Sequence, residues 1–218
     1  MKFKHYIWDF DGCLCDSYPH TAQMFLEAMR RHGRTELPPY EEVFLRLQVT
    51  WLHARDFFGM TAEEYKTLHE LDHDFTLEPI PGLFDGVRET LEDIVAAGGK
   101  NYLYTLRNHV AKDALDAYGV SHLFTDFVTR ENGFPGKPAP DAVAYLMEKH
   151  GMDPAETVMI GDRDIDGQSG INAGANGCLM SVLDKNCYGE DMLESSAMPL
   201  KARGIAALRT VLEIQNAE

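Results

Sequence analysis

His5-Tyr6-Ile7-Trp8 runs straight into Asp9-Phe10-Asp11-Gly12, and this junction decides how the rest of the chain is read. A short, largely apolar run bounded by a turn signal predicts a buried strand. On a strand, residues i and i+2 face the same way, so Asp9 and Asp11 can point together out of the carboxyl end of a sheet. Open α/β sheets place their ligands at that end. Two carboxylates ~4 Å apart repel by about 4 kcal/mol at an effective dielectric near 20. Such a pair binds a cation, shares a proton or splays into water. The competing reading, Asp-Gly as a hairpin turn, lacks a partner strand, because the next periodic segment is helical. A calcium loop starting at Asp9 needs Gly and Glu where the chain has Leu14 and His20.

Outward from this junction, short apolar strands alternate with helical patterns. Strands are expected at His5–Trp8, Tyr102–Thr105, Phe124–Val128, Thr157–Ile160 and Gly177–Met180. Between them, Val87, Leu91, Ile94 and Val95 keep helical spacing before Gly98-Gly99, as do Ala111, Ala114, Leu115 and Tyr118 before Gly119. Pro140 opens a third such stretch and Gly151 closes it, the usual helix punctuation. Strand–helix alternation predicts an α/β fold, a Rossmann-like parallel sheet covered by helices. From Ser17 to Pro81 the alternation stops. Ala22, Phe25, Leu26 and Met29 form an apolar stripe, and Thr61-Ala62-Glu63-Glu64 reads as a capping box. The expected organisation is a core of residues 1–16 and 82–218 with a small inserted α-helical cap domain over 17–81, joined by two crossings that can hinge. Asp184–Arg203 is aperiodic and reads as loop, with room for a short edge strand.

The 218 residues carry 20 Lys+Arg against 35 Asp+Glu, a net charge of −15, with 44% hydrophobic residues. That is the mix of an ordinary globule with a real core. The deficit of positive charge argues against a nucleic-acid partner and against an anionic membrane surface. Cys13, Cys15, Cys178 and Cys187 match neither a disulfide framework nor a zinc-ribbon spacing. Residues 1–30 show no signal-peptide pattern and no run is apolar enough to span a bilayer, so a reducing cytoplasm is the expected location.

A second acidic pair follows the fourth strand, in Gly161-Asp162-Arg163-Asp164-Ile165-Asp166. Taken alone, it reads as helix capping. Taken with Asp9 and Asp11 at another strand end, the two sets converge on one hard cation with oxygen ligands, for which Mg²⁺ is suited. Thr105 ends the second strand with a hydroxyl, and backbone N–H groups before the next helix offer an anion site. Lys137 sits in Phe134-Pro135-Gly136-Lys137-Pro138-Ala139-Pro140; it is either a solvated lysine before a helix or an ammonium held by its prolines for a phosphate.

In this order, the four pieces resemble the haloacid dehalogenase superfamily of phosphohydrolases. Asp9-Phe10-Asp11-Gly12-Cys13-Leu14-Cys15-Asp16-Ser17 fits the first motif, DxDGxLxDS, and Thr105 the second. Lys137-Pro138-Ala139-Pro140 fits the third, and Gly161-Asp162 with Asp166 the fourth, GDxxxD. The helical insert is similar to the small caps of phosphoglycolate phosphatase-like and β-phosphoglucomutase-like members. The resemblance implies that Asp9 is the nucleophile and Asp11 the general acid and base. It implies that Thr105, Lys137 and the backbone of Leu106 bind the phosphoryl group. Mg²⁺ would be held by Asp9, the Asp11 carbonyl, Asp162 and, through water, Asp166. The run Thr105-Leu106-Arg107-Asn108 departs from many relatives, which carry Asn or Ser after the second-motif residue; Arg107 either contacts phosphate or faces solvent.

His69-Glu70-Leu71-Asp72-His73 formally matches the HExxH zinc motif, against which stand the charge of Asp72 and Pro79 where the extended form wants His, leaving Glu89 or Glu92 as a distant third ligand; solvated helix surface is the plainer reading. Arg46, Gln48, Thr50, Trp51, His53 and Arg55 are suited to contacting a leaving group, or are helix surface with Trp51 in a local core. Lys66 is the insert's lone lysine, a poor basis for Schiff-base chemistry, and Asp11 argues against dehalogenation, where no leaving group needs a proton. The expectation is a Mg²⁺-dependent phosphatase acting on a small phosphorylated metabolite, as a monomer or small homo-oligomer. A phosphomutase, or a catalytically silent binder on the same fold, is the alternative.

Overall fold

The computed structural model describes residues 1–216. After β1 (His5–Trp8) come four helices, α1 (Tyr18–Arg31), α2 (Tyr40–Leu47), α3 (Trp51–Phe57) and α4 (Ala62–Asp72). The alternation then resumes with α5 (Val87–Ala96), β2 (Lys100–Tyr104), α6 (Val110–Ala117), β3 (Phe124–Val128), α7 (Asp141–His150) and β4 (Thr157–Gly161). It ends with α8 (Asp164–Asn172), β5 (Asn176–Ser181), β6 (Leu200–Arg203) and α9 (Gly204–Val211). All strand pairings are parallel, and the six strands lie in the order β3-β2-β1-β4-β5-β6. This is the expected α/β, Rossmann-like sheet, whose order reverses direction between β1 and β4.

The central strand explains itself. Tyr6, Ile7 and Trp8 are all fully buried, as a strand covered by helices on both faces must be. Trp8 Nε1 donates to Asn101 Oδ1 at 3.0 Å and Tyr6 Oη to Phe3 O at 3.1 Å, so both polar atoms have partners. On one face, Ile7, Tyr102, Val128 and Met159 pack against Val143 and Leu146 of α7. Fully burying each large apolar side chain contributes roughly 1.5–3 kcal/mol before entropy is counted. The edge strand allowed for within 184–203 is β6. Helix α9 was not legible beforehand, being short and opened by Gly204 rather than by a capping side chain.

The chain separates into two compact units. One contains the sheet: Met1–Cys15, Leu83–Asp184 and the chain from Met192 onward. The other contains α1 to α4, Asp16–Gly82, together with Lys185–Asp191. The inclusion of Lys185–Asp191 is invisible in the sequence, since it rests on contacts such as Tyr188 Oη with His53 Nε2 at 3.4 Å. Within the helical unit, the stripe Ala22, Phe25, Leu26 and Met29 is buried with Val43, Leu47 and Leu68. Among the described residues, no helix is long and apolar enough to cross a membrane.

The capping box at α4 forms as read: Glu64 N donates to Thr61 Oγ1 at 3.2 Å and Thr61 N to Glu64 Oε2 at 2.7 Å. The same carboxylate pairs with Arg34, whose Nε and Nη2 lie 2.6 and 2.8 Å from its oxygens. The Arg34 guanidinium holds the Glu64 carboxyl below its ordinary value, against the opposing effect of burial. A carboxyl depressed by folding stabilises the native state above its unfolded pKa and loses that contribution as pH falls. Glu64→Gln is therefore expected to lower the thermal midpoint of the helical unit by a few degrees at pH 7. The gap to wild type should close as pH is lowered to about 3, measured by circular dichroism melts across that range.

Candidate active site

Asp9 follows β1 directly and still belongs to the sheet, its N–H donating to Ile160 O at 2.8 Å. Pairing with β4 therefore locks the first acid beside the strand that carries Asp162. Asp9 is 2% exposed and Asp162 6%. Beyond Asp11 the chain turns tightly: Gly12 has φ of 71°, and Leu14 and Cys15 N–H both donate to Phe10 O. The Asp-Gly pair does make a turn, but one that leaves the strand end open.

The ammonium of Lys137 reaches this point from the loop before α7. Its Nζ lies 2.6 Å from Asp9 Oδ1 and 2.9 Å from Asp166 Oδ1, with the lysine side chain fully buried. It also sits 4.6 Å above the ring of Tyr104, at the end of β2, a cation–π contact that shares the cost of desolvation. Burial alone would push the ammonium down, but Asp166 and Asp9 outweigh it and hold Lys137 above its usual range. The solvated reading of Lys137 is excluded.

Asp166 serves two readings at once. Its Oδ2 accepts the Arg163 N–H at 2.9 Å, which caps the first turn of α8, while Oδ1 meets Lys137. It can tuck under the strand end because Gly161 has no side chain. A Cβ there would stand 2.3 Å from Asp166 Cβ and 2.4 Å from its carboxyl group.

Asp9, Asp162 and Asp166 bring one carboxylate oxygen each within 4.8 Å of one another. Among the described residues they are the one group of three or more His, Cys, Asp or Glu placed closely enough to hold a metal ion. Three carboxylates and one ammonium leave a formal charge of −3 + 1 = −2 in a buried space. Asp9 Oδ2 is buried without a hydrogen-bond partner, and an unsatisfied charged oxygen of this kind is costly. The Asp9 carboxyl is raised to about 6, by burial foremost and also by Asp166, against the downward pull of Lys137. An all-oxygen donor set of three carboxylates, only partly offset by Lys137, fits a hard divalent cation such as Mg²⁺. The Asp11 side chain lies outside this group, so any part it takes in holding a cation falls to its backbone carbonyl.

The Asp11 carboxylate instead faces Arg107, whose Nε is 3.1 Å from both oxygens and whose Nη2 is 2.8 Å from Oδ1. This is a third outcome for Arg107, beyond the two that the sequence left open. Thr105 is buried, its N–H donating to Val128 O at 3.0 Å, while its Oγ1 accepts the Arg107 N–H at 3.1 Å. The Leu106 side chain packs with the core around Tyr104 and Val128, leaving its backbone as the available group.

Elsewhere the sequence signals resolve into local packing. His69 packs against Trp51 in a tilted contact and against Tyr65 edge-on, at 4.9 and 4.7 Å between rings. Asp72 is buried and accepts from Thr21 Oγ1 at 2.5 Å. The HExxH match is thus a helix packed on its neighbours. Arg46 lies over Phe57 and pairs with Glu42, Arg55 pairs with Asp56, and Lys66 is an exposed partner of Glu70. The sequence reading missed Tyr104 and Arg163, and it had Gly161 as part of the fourth motif without the packing reason. Arg163 carried a signal, lying between the two acids of that motif; its Nε is 3.8 Å from Asp162 Oδ1.

Comparisons with known proteins agree with this geometry. The sequence profile of haloacid dehalogenase-like hydrolases matches residues 6–180, a stretch that includes every residue of the site. A phosphoglycolate phosphatase of Vibrio parahaemolyticus is 34% identical over 191 residues, covering 80% of this chain and 82% of the relative. The pyrophosphatase PpaX of Oceanobacillus iheyensis is 26% identical over 186 residues, covering 79% and 81%. Among solved structures, a hydrolase from Streptococcus pneumoniae superposes with a TM-score of 0.66 at 30% identity, covering 98% of this chain and all of the other (100%). With its motifs gathered at the ends of β1, β2 and β4 and its sequence matched over most of its length, the chain belongs to the haloacid dehalogenase-like hydrolase family.

Proposed function

We propose that this hydrolase is a Mg²⁺-dependent phosphatase that cleaves a small phosphomonoester through an aspartyl-phosphate. The observation that carries the reading is Asp9 itself. One of its oxygens is held by Lys137 and the other is buried without a hydrogen-bond partner. A carboxylate fixed in this way is oriented for attack before substrate arrives, which removes entropy from the barrier. Asp9, Asp162, the Asp11 carbonyl and, through water, Asp166 would hold Mg²⁺. When bound, it would offset the repulsion between an anionic nucleophile and an anionic phosphate.

In the first step an Asp9 oxygen forms a bond to phosphorus as the bond to the leaving oxygen breaks. The released electron pair goes to that oxygen, which takes a proton from the Asp11 carboxyl. In the second, a water gives a proton to the Asp11 carboxylate and bonds to phosphorus, and the Asp9–phosphorus bond breaks with its electrons returning to Asp9. Splitting one displacement into two is nucleophilic catalysis, and the proton transfers are worth roughly 10²–10⁴-fold. Lys137, the Thr105 hydroxyl and backbone N–H groups after β2 would bind the phosphoryl oxygens and meet the charge that develops on them. The names of the two relatives make phosphoglycolate and pyrophosphate the first substrates to try, ahead of a wider panel of phosphorylated metabolites.

Asp9→Asn is expected to abolish release of phosphate from p-nitrophenyl phosphate, with an unchanged circular dichroism spectrum. Activity near wild type would remove Asp9 from the nucleophile's role. The cation has a readout apart from turnover. Because protons and metal compete for the same carboxylates, Mg²⁺ is expected to raise the thermal midpoint more at pH 7.5 than at pH 5. Asp162→Asn should abolish the rise. Gly161→Ala, which forces Asp166 aside, is expected to weaken Mg²⁺ binding at least tenfold in a titration followed by thermal shift.

A further inference from the structure

Asp11 can act on a leaving group only if its carboxyl stays aimed at the same place through both half-reactions, yet it stands just before the glycine turn at Gly12 and its side chain is 24% exposed. What it packs against is Arg107, whose side chain is 3% exposed. The guanidinium meets the carboxylate along one edge, through Nε and Nη2, a planar fork that fixes orientation as well as distance. Arg107 is itself held by its backbone. Its N–H donates to Thr105 Oγ1 at 3.1 Å, and its carbonyl accepts the Arg130 N–H at 3.0 Å. The next residue leads toward α6, Asn108 Oδ1 accepting the Val110 N–H at 3.2 Å. The strand end of β2 is thereby a rigid bracket, and the arginine carries that rigidity across to the loop after β1.

We propose that Arg107 is a positioning residue that holds the Asp11 carboxyl in line with the leaving oxygen. The inference rests on the reading of Asp11 as general acid and base. Arg107 touches neither phosphorus nor the leaving group in this role. Its contribution is confined to steps in which Asp11 moves a proton. A misplaced acid costs most where the leaving oxygen is a poor one. An alkyl oxygen needs the proton as its bond to phosphorus breaks, whereas a nitrophenolate leaves well without it. A phosphate-binding arginine would act on both substrates alike.

The test compares kcat/KM for an alkyl phosphate and for p-nitrophenyl phosphate, since this ratio reports the first bond-breaking step. Arg107→Gln is expected to lose about 30- to 100-fold on the alkyl ester and less than about 3-fold on the aryl ester. Arg107→Lys, which keeps the charge without the fork, should fall between wild type and Arg107→Gln on the alkyl ester. Added guanidinium should restore part of the alkyl-phosphate rate to Arg107→Ala. Non-additivity gives the sharpest readout: Asp11→Asn alone and Asp11→Asn with Arg107→Gln should be equally slow on the alkyl ester. Equal losses on the two esters, or a further loss in the double variant, would overturn the positioning role. If Asp11→Asn itself fails to discriminate between the esters, the acid–base reading fails, whatever Arg107 does. Thermal melts of each variant separate these outcomes from loss of fold.

Discussion

Three carboxylates and one ammonium are shut away from water at the end of β1 and β4, and the rest of the sheet unit can be understood as what holds them there. Two like charges within 4.8 Å repel by about 3–4 kcal/mol even at an effective dielectric near 20, and desolvating each ion costs several kcal/mol more. Lys137 offsets part of this but not all. The remaining negative charge makes the bare site unfavourable in itself and favourable toward a cation. Only a stiff framework can impose such an arrangement, and a parallel sheet with a fully buried central strand is one. The Asp9 backbone remains in the sheet ladder through Ile160 O, so Asp9 cannot retreat from Asp162 without breaking the β1–β4 pairing.

Within that framework, oxygens of a single carboxylate are given separate tasks. Asp166 spends one on the first turn of α8 and the other on Lys137. Asp9 gives one to Lys137 and keeps the other without a hydrogen-bond partner. Capping and a place in the buried cluster, posed as alternatives by the fourth motif, are compatible here, because the same side chain caps α8 and meets Lys137. Gly161 makes this possible by leaving room for the Asp166 carboxyl against the strand end. Arg107 extends the same logic to Asp11, tying the loop after β1 to the bracket at the end of β2.

Much of this was legible in the chain. Strand periodicity marked β1 to β5, since buried parallel strands read as short apolar runs, and the Pro and Gly punctuation of α7 predicted its ends within a residue or two. The stripe of α1 and the capping box of α4 are local patterns and formed as read. Helix α9 escaped because nothing local announces it. The HExxH match shows the converse: His69 and His73 carry a motif whose spacing is helical, yet His69 is taken up by ring contacts with Trp51 of α3 and with Tyr65, one turn back in α4 itself. Spacing along one helix says which side chains are neighbours, not whether a third ligand arrives from elsewhere.

The sequence by itself determined the order of elements and the identity of the acids, because strand and helix periods, turn residues and motif spacing are short-range properties written within a few residues. Only the tertiary structure decided that Asp9, Asp162, Asp166 and Lys137 share one buried space. It alone turned Arg107 onto Asp11 and away from solvent, and it alone grouped Lys185–Asp191 with the helical unit. These are contacts between residues far apart along the chain. Their existence depends on which strands become neighbours and which side chains compete for one partner, and no local pattern encodes that outcome.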